Sequence, residues 1–296
     1  MDHATLHGIW PALVTPFRDG NIDTDALTGL ACRLMDGGVH GLVALGTTGE
    51  AVTQERSERL TTLETVVAAA RGRVPVMAGI GGNHTAEVII EAHQAVDQGA
   101  DLLLAVTPPY NKPTQAGMLA HFTALADAAR KPLVLYNVPS RTGVNLSPET
   151  LATLARHPRI AGIKDAAGSI PQFCREYELV PGGFALLSGD DGLFFPLLCL
   201  GARGVVSVAA NVAPRALVGL YDAFAAGDLA RARDLHYRLL PLMDALFVET
   251  NPAPVKYALS RLGLMAPDLR LPLAPLAEHS RRAVDEVLDR ARDLWS

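Results

Sequence analysis

Eight short apolar segments recur along the chain, and turn-rich stretches and longer patterns of helical period separate them. These segments begin at Gly8, His40, Val74, Asp101, Pro132, Ile160, Phe184 and Gly204. Their apolar residues are continuous rather than alternating, which is typical of parallel strands that are buried on both faces. The pattern therefore predicts eight parallel strands.

The segments between the strands have the period of amphipathic helices. In the first of them Leu27, Leu30 and Leu34 share one face, with Asp23 or Thr24 as N-cap candidates and glycines at 37–38 as a stop. Further helices are predicted around Leu60, Leu63 and Val67, over 85–98 and over 115–129.

Eight strand–helix units fit a (β/α)8 TIM barrel, and a doubly wound open sheet is the alternative. After about Gly227 the apolar strand segments stop and only helical patterns follow. We therefore predict a catalytic barrel over 1–226 and a small all-helical C-terminal domain over 227–296.

Charge and cysteine content exclude several classes of function. The net charge is −5 and there are no basic runs, so a nucleic-acid partner is not expected. Cys32, Cys174 and Cys199 are widely spaced, as in proteins with reduced thiols. Reduced thiols indicate the cytoplasm, so we expect a cytoplasmic protein, and no apolar stretch reaches the roughly 18 residues of a membrane span. The histidine spacing matches no metal motif, so no metal is expected.

One lysine is a candidate nucleophile. Catalytic groups of such barrels lie at the carboxyl ends of the strands. Of the four lysines only Lys164 lies within an apolar strand segment, directly after IAGI. Burial there would lower its pKa, and the resulting free amine could form a Schiff base with a ketone. Alternatively, Lys164 reaches solvent or pairs with Asp165.

Two other strand ends carry candidate polar groups. In YNVPSRTG, Tyr136 could transfer protons and Arg141 could bind a carboxylate, although a strand tyrosine is commonly a core residue. In GTTGE at 46–50, the hydroxyls and backbone N–H groups suit a carboxylate or a proton relay, or else form a threonine-capped turn. Asp190 and Asp191 are expected to be helix caps. AGIGGNHT lacks a complete nucleotide-binding motif.

Taken together, these motifs resemble the N-acetylneuraminate lyase family of pyruvate-dependent class I aldolases. The resemblance extends over almost the whole chain and rests on GTTGE (46–50), TPPYNKP (107–113), YNVPSRTG (136–143), GIKDAAG (162–168), SGDD (188–191), GVVSV (204–208) and NPAPVK (251–256). The arginine of YNVPSRTG resembles the dihydrodipicolinate synthase branch in particular.

The resemblance implies a role for each candidate. Lys164 would form the Schiff base with pyruvate and Tyr136 would donate and accept protons. Thr47 would connect Tyr136 to Tyr110, which reaches in from a neighbouring subunit. The remaining implied residues bind substrate: Thr48 and Val206 hold the pyruvate carboxylate, Gly189 and Asn251 line the pocket, and Arg141 binds the second substrate.

The implied reaction condenses pyruvate with L-aspartate 4-semialdehyde to 4-hydroxy-tetrahydrodipicolinate, on the route to lysine and diaminopimelate, without a cofactor. The implied assembly is a homotetramer built as a dimer of tight dimers. Two alternatives stay open: a sister aldolase or dehydratase acting on another 2-keto acid or sugar acid, and a catalytically silent barrel that binds a metabolite.

The resemblance also suggests that feedback inhibition by L-lysine is weak or absent. Asn83 and Glu87 match the lysine contacts of inhibited members, but Pro109 replaces a tyrosine, Arg59 a histidine and Ala51 a serine. A proline in place of the tyrosine removes a ring that packs on the bound lysine, and the guanidinium of Arg59 repels the ammonium of that lysine. Initial rates at increasing L-lysine concentration test this expectation, and half-inhibition at sub-millimolar lysine would contradict it.

Overall fold

The computed structural model describes residues 6–290 and 292–295. Its strands are β1 (Gly8–Pro11), β2 (Phe17–Arg18), β3 (Asn21–Ile22), β4 (Leu42–Ala44), β5 (Val76–Ile80), β6 (Leu102–Val106), β7 (Leu133–Asn137), β8 (Ile160–Asp165), β9 (Ala185–Ser188) and β10 (Gly204–Ser207). All except β2 and β3 belong to one sheet, in the order β1-β10-β9-β8-β7-β6-β5-β4. The eight predicted strands and the (β/α)8 barrel class are confirmed.

The short hairpin of β2 and β3 was not predicted. Its two strands have two residues each and pair antiparallel. The turn between them, Asp19 and Gly20, has positive φ angles of 52° and 81°. Segments this short carry too few residues to show a hydrophobic period, so the pattern of apolar positions could not reveal them.

The helices are α1 (Thr24–Asp36), α2 (Arg56–Ala70), α3 (Thr85–Asp97), α4 (Gln115–Ala128), α5 (Pro139–Thr142), α6 (Pro148–Leu154), α7 (Ile170–Leu179), α8 (Phe194–Cys199), α9 (Pro214–Ala225), α10 (Leu229–Ala245), α11 (Ala253–Arg261) and α12 (Glu278–Arg290). The helices predicted from periodicity are confirmed as α1 to α4. Asp23 is the N-cap of α1, since its carboxylate accepts a hydrogen bond from the Ala26 backbone N–H at 3.0 Å.

One compact unit comprises Met77–Val206 together with the chain up to His7. Its strands pair in parallel, and the register places Val106 beside Tyr136, Tyr136 beside Lys164 and Asn137 beside Asp165. A Cβ at Gly162 on β8 would lie only 2.5 Å from the Ala185 carbonyl oxygen. Glycine there allows β8 and β9 to approach closely.

The other compact unit comprises Gly8–Val76 and Ser207–Ser296. It contains β1 and β4, joined by a parallel bridge between Ala12 and Val43, and the helices α9 to α12. Among the described residues after Gly227, the regular elements are α10, α11, α12 and a 3₁₀ turn at Arg292–Leu294. The domain boundary after residue 226 stays a prediction. No helix in the part of the chain that the structure describes is long and apolar enough to cross a membrane.

Candidate active site

Lys164 and Tyr136 meet at the carboxyl ends of neighbouring strands. Lys164 lies on β8 and Tyr136 on β7, and the two residues are partners in the strand register. The Lys164 Nζ atom lies 4.0 Å from the centre of the Tyr136 ring. Each residue is only 7% exposed, so both polar groups are largely shielded from water. The strand register therefore holds an amine and a phenol together in a largely buried place, where a phenol can exchange protons with groups beside it.

Gly189 provides the space beside the lysine side chain. It follows β9, and its backbone N–H donates to the Asp165 carbonyl oxygen at 2.7 Å. A Cβ at this position would lie 3.1 Å from Lys164 Cε and 2.7 Å from the Ala166 Cβ. Any larger residue at 189 would therefore displace the lysine side chain. The structure places Gly189 against Lys164, and its role in lining the pyruvate pocket stays a prediction.

Asp165 points to the opposite face of the sheet from Lys164, because successive side chains of a strand alternate. Its carboxylate accepts hydrogen bonds from Asn137 Nδ2 at 2.9 Å and from the Ala167 backbone N–H at 3.4 Å. This geometry does not match the alternative in which Lys164 pairs with Asp165. The two neighbouring residues have separate environments.

A second buried acid, Glu176 on α7, interacts with Asp165. Gln172 Nε2 donates to Glu176 Oε1 at 2.9 Å, while Oε2 has no hydrogen-bond partner among the described residues. Burial and the nearby Asp165 charge raise the pKa of Glu176 to about 8. Burial also raises the pKa of Asp165, although the hydrogen bonds from Asn137 and Ala167 act to lower it. Glu176 therefore keeps its proton at neutral pH.

Arg141 and Tyr110 lie in two loops of the same unit that are tied together. Arg141 is exposed and lies in α5, one residue before the end of that helix at Thr142. The Tyr110 backbone N–H donates to the Thr142 carbonyl oxygen at 3.4 Å, and Thr107 Oγ1 donates to Thr142 Oγ1 at 3.1 Å. Tyr110 has a φ of 72° and is 89% exposed, so within its own chain the ring is almost uncovered.

Val206 lies on β10 and is buried. It follows Val205, which is the register partner of Ser188, the last residue of β9. Val206 therefore lies one residue beyond the last pair of β9 and β10, toward the level of Gly189, which follows Ser188.

Thr47, Thr48 and Asn251 belong to the other compact unit. Thr47–Gly49 form a single 3₁₀ turn shortly after β4, and Thr48 is buried. Asn251 Nδ2 donates to Thr48 Oγ1 at 3.0 Å. The GTTGE motif is therefore a tight turn whose second threonine hydroxyl is held by the asparagine of NPAPVK.

Sequence reasoning missed two charged residues of these same motifs. Glu50 ends GTTGE and Lys256 ends NPAPVK, and their side chains form a buried ion pair at 2.5 Å. Lys256 lies on α11, in the part of the chain after Gly227 for which helical patterns are predicted. The signal that could have found it is the apolar run APV before it and YAL after it, since a lysine in such a run needs a buried partner.

The prediction that Asp190 and Asp191 cap a helix is wrong, because the N-cap of α8 is Leu193, without a side-chain cap hydrogen bond. Asp190 instead caps a turn. Its Oδ1 accepts hydrogen bonds from the backbone N–H groups of Gly192 at 2.9 Å and Leu193 at 3.3 Å. Since α8 begins at Phe194, Asp190 caps the turn before the helix rather than the helix itself. Residues 6–290 and 292–295 contain no group of three or more His, Cys, Asp or Glu side chains arranged for a metal ion.

Comparison with known proteins identifies the family of this chain. The profile of the dihydrodipicolinate synthetase family matches residues 5–291. The 4-hydroxy-tetrahydrodipicolinate synthase of Methanothrix thermoacetophila is 47% identical over 98% of this chain and 98% of its own, and that of Maridesulfovibrio salexigens is 46% identical over 96% and 98%.

Solved structures give the same answer. The chloride-inhibited dihydrodipicolinate synthase of Acinetobacter baumannii, solved in complex with pyruvate, matches with a TM-score of 0.95, 42% identity and coverage of 97% of this chain and 99% of that one. A (β/α)8 barrel with a buried lysine and tyrosine at the ends of adjacent strands, together with these relatives, defines an enzyme of the lyase class. The chain belongs to the dihydrodipicolinate synthetase family.

The buried acid pair predicts a pH-dependent stability. A carboxyl group whose pKa rises from 4.5 to about 8 on folding stabilises the folded chain fully below about pH 4.5. This contribution, on the order of a few kcal/mol, is lost as the pH rises through about 8. We expect Glu176→Gln to flatten the decline of the thermal midpoint between about pH 5 and about pH 9, as measured by differential scanning calorimetry.

The matched control is Glu178→Gln, on the same helix but in an exposed ion pair with Arg175. It should leave the slope of the wild-type profile unchanged. Parallel profiles for wild type and Glu176→Gln would show that Glu176 does not hold a proton in the folded chain.

Proposed function

We propose that this protein condenses pyruvate with L-aspartate 4-semialdehyde to form 4-hydroxy-tetrahydrodipicolinate through a Schiff base on Lys164. The observation that carries the proposal is the buried pair of Lys164 and Tyr136, with 4.0 Å between Nζ and the ring centre. The relatives named as 4-hydroxy-tetrahydrodipicolinate synthases support it, since they match at 46–47% identity over nearly the full chain.

Lys164 is the proposed nucleophile. Its amine adds to the keto carbon of pyruvate, and loss of water gives an imine whose nitrogen draws electrons from the methyl carbon. Loss of a methyl proton then gives an enamine, which attacks the aldehyde carbon of the second substrate. Ring closure by the amino group of that substrate frees the lysine. The imine itself withdraws the electrons, so the proposal includes no dissociable cofactor.

Tyr136 is the proposed proton donor and acceptor for these steps. Its phenol ring lies beside the amine, where a hydroxyl can protonate the departing water and later remove a proton. The family resemblance assigns Thr47 and Tyr110 to the relay that resupplies Tyr136. It assigns Thr48, Val206, Gly189 and Asn251 to the binding of pyruvate.

Arg141 is the proposed binding site for the carboxylate of the aldehyde substrate. It is an exposed residue in a four-residue helix that follows β7 directly, so it lies at the same end of the strand as Tyr136. A guanidinium binds a carboxylate through two parallel hydrogen bonds, which fixes the orientation of the bound aldehyde.

A homotetramer in the cytoplasm is the proposed form of the protein. The 89% exposure of the Tyr110 ring supports contact with a second chain, because a large aromatic ring gains by being covered. One solved relative is described as a monomeric dihydrodipicolinate synthase variant, with 40% identity and a TM-score of 0.95. Cys32, Cys174 and Cys199 are free thiols, which supports a reducing compartment.

The deciding experiment incubates the protein with pyruvate and borohydride and then measures the intact mass. We expect a reduced pyruvate adduct on the wild type and none on Lys164→Ala, because only Lys164 offers a buried amine beside a phenol. The control is Lys131→Ala, at the opposite end of β7, which should be modified like the wild type. An adduct on Lys164→Ala would refute the assignment.

Turnover is followed with both substrates through a coupled dihydrodipicolinate reductase and NADPH. Product formation that requires pyruvate, the aldehyde and Lys164 supports the proposed reaction. A protein that is trapped with pyruvate but does not consume the aldehyde would act on another partner, as a sister aldolase does.

Arg141→Ala should mainly weaken use of the aldehyde. Loss of a bidentate contact to a carboxylate costs roughly 2–3 kcal/mol, which raises KM for the aldehyde about 30- to 160-fold. KM for pyruvate and the yield of trapped adduct should change little. Arg156→Ala, an exposed arginine just after α6, is the control and should behave as the wild type. A selective loss of pyruvate affinity would contradict this role.

A further inference from the structure

A buried ion pair lies directly behind the threonine turn. The Lys256 Nζ atom is 2.5 Å from Glu50 Oε1, and the two side chains are 0% and 1% exposed. Neither residue belongs to the proposed chemistry. Burying two charges is costly unless their geometry is well defined, and an apolar pair of similar volume is often at least as stable. The arrangement therefore calls for an explanation other than stability alone.

Glu50 is the residue on which the threonine turn ends. It directly follows Thr47–Gly49 and has left-handed backbone angles, with φ 53° and ψ 35°. Its backbone N–H donates to the Thr47 carbonyl oxygen at 3.1 Å. A non-glycine residue in this conformation is strained, so contacts of its side chain must hold it there.

Both oxygens of the Glu50 carboxylate are occupied. Oε1 accepts from Lys256 Nζ at 2.5 Å, and Oε2 accepts from the Arg270 backbone N–H at 3.2 Å. The Phe17 ring packs against both cations, with Lys256 Nζ 4.2 Å and Arg270 Cζ 4.3 Å from its centre. The carboxylate is therefore fixed in position and direction.

A second contact links the same two segments. Asn251 Nδ2 donates to Thr48 Oγ1 at 3.0 Å, and the Lys256 backbone N–H donates to the Pro252 carbonyl oxygen at 3.0 Å. Asn251 and Lys256 thus belong to one rigid segment, the first turn of α11 with the residues before it. That segment touches the turn at Thr48 and again at Glu50.

We propose that Lys256 and Glu50 are positioning residues that hold the Thr47–Thr48 turn in the conformation that binds the carboxylate of the 2-keto acid substrate. This inference rests on the proposed function, in which Thr48 binds pyruvate. The ion pair touches no reacting atom. It sets the direction of the hydroxyl and backbone N–H groups in the turn before the substrate arrives.

Burial lowers the pKa of the Lys256 ammonium, and the charges of Glu50 and Asp268 oppose that shift. Glu50→Gln removes the strongest of these opposing charges while it keeps the shape of the side chain. Lys256→Met keeps the length of the side chain and removes its charge, which leaves the Glu50 carboxylate buried and unpaired. Each variant should loosen the turn by a different route.

The experiment compares Lys256→Met, Glu50→Gln, the double variant and Glu58→Gln. Glu58 is the matched control because its carboxylate binds Arg270, beside the same Phe17 ring, and the Glu55 backbone N–H, rather than Lys256 or the threonine turn. For each protein we would measure the thermal midpoint, hydrogen exchange of the backbone over 42–53, and KM and kcat for both substrates.

We expect both single variants to lose hydrogen-exchange protection at Gly49 and Glu50 and to raise KM for pyruvate about 10- to 100-fold, with KM for the aldehyde unchanged. In the double variant no buried charge is left unpaired, so its thermal midpoint should return toward that of the wild type while KM for pyruvate stays high. Glu58→Gln should be less stable than the wild type, with its exchange and KM unchanged.

Other outcomes overturn the inference. If KM for pyruvate recovers together with the thermal midpoint in the double variant, the pair is only structural. The same holds if Glu58→Gln raises KM equally, or if protection of the turn is unchanged in both single variants. Glu50→Gln keeps the test decisive if Lys256→Met does not fold. A wild type that forms no pyruvate adduct would refute the proposed function instead, and the exchange data would still decide whether the pair holds the turn.

Discussion

The register between β7 and β8 is the constraint on which the site depends. It sets Tyr136 beside Lys164 and, one residue later, Asn137 beside Asp165. Since successive side chains alternate between the faces of a sheet, this single register builds two different environments. One face holds the amine and the phenol, and the other holds the hydrogen-bonded acids. A slip of one residue would exchange them.

The acid network explains why an aspartate directly after Lys164 is compatible with the site. Asp165 does not act on the lysine beside it, because its carboxylate faces Asn137 and Glu176. The network joins β7, β8 and α7 behind Tyr136 and Lys164. It fixes the two strands whose opposite faces carry Tyr136 and Lys164. The hydrogen bonds that satisfy the buried polar groups therefore also hold these strands in place.

The sequence predicted most of the fold because buried parallel strands and amphipathic helices leave strong periodic signals. For the candidate site it pointed to Lys164 and the ordered motifs around it, and the structure brings Lys164 and Tyr136 together. The pairing of Glu50 with Lys256 could not be predicted, because the two residues are 206 positions apart and each looks like an ordinary polar residue near a turn or on a helix. Burial alone would also have misled, since Lys256 is more deeply buried than Lys164. Both ammonium groups face an aromatic ring, Tyr136 for Lys164 and Phe17 for Lys256. What separates the two lysines is the Glu50 carboxylate, which pairs with Lys256.

The depth of the Lys256–Glu50 pair has a consequence for the response to ionic strength. Dissolved ions weaken the attraction between charges that they can approach, and exposed pairs such as Arg175 with Glu178 belong to that group. Neither charge of the buried pair is in contact with solvent. Dissolved salt therefore should not change the conformation of the threonine turn. It weakens only the ion pairs at the protein surface.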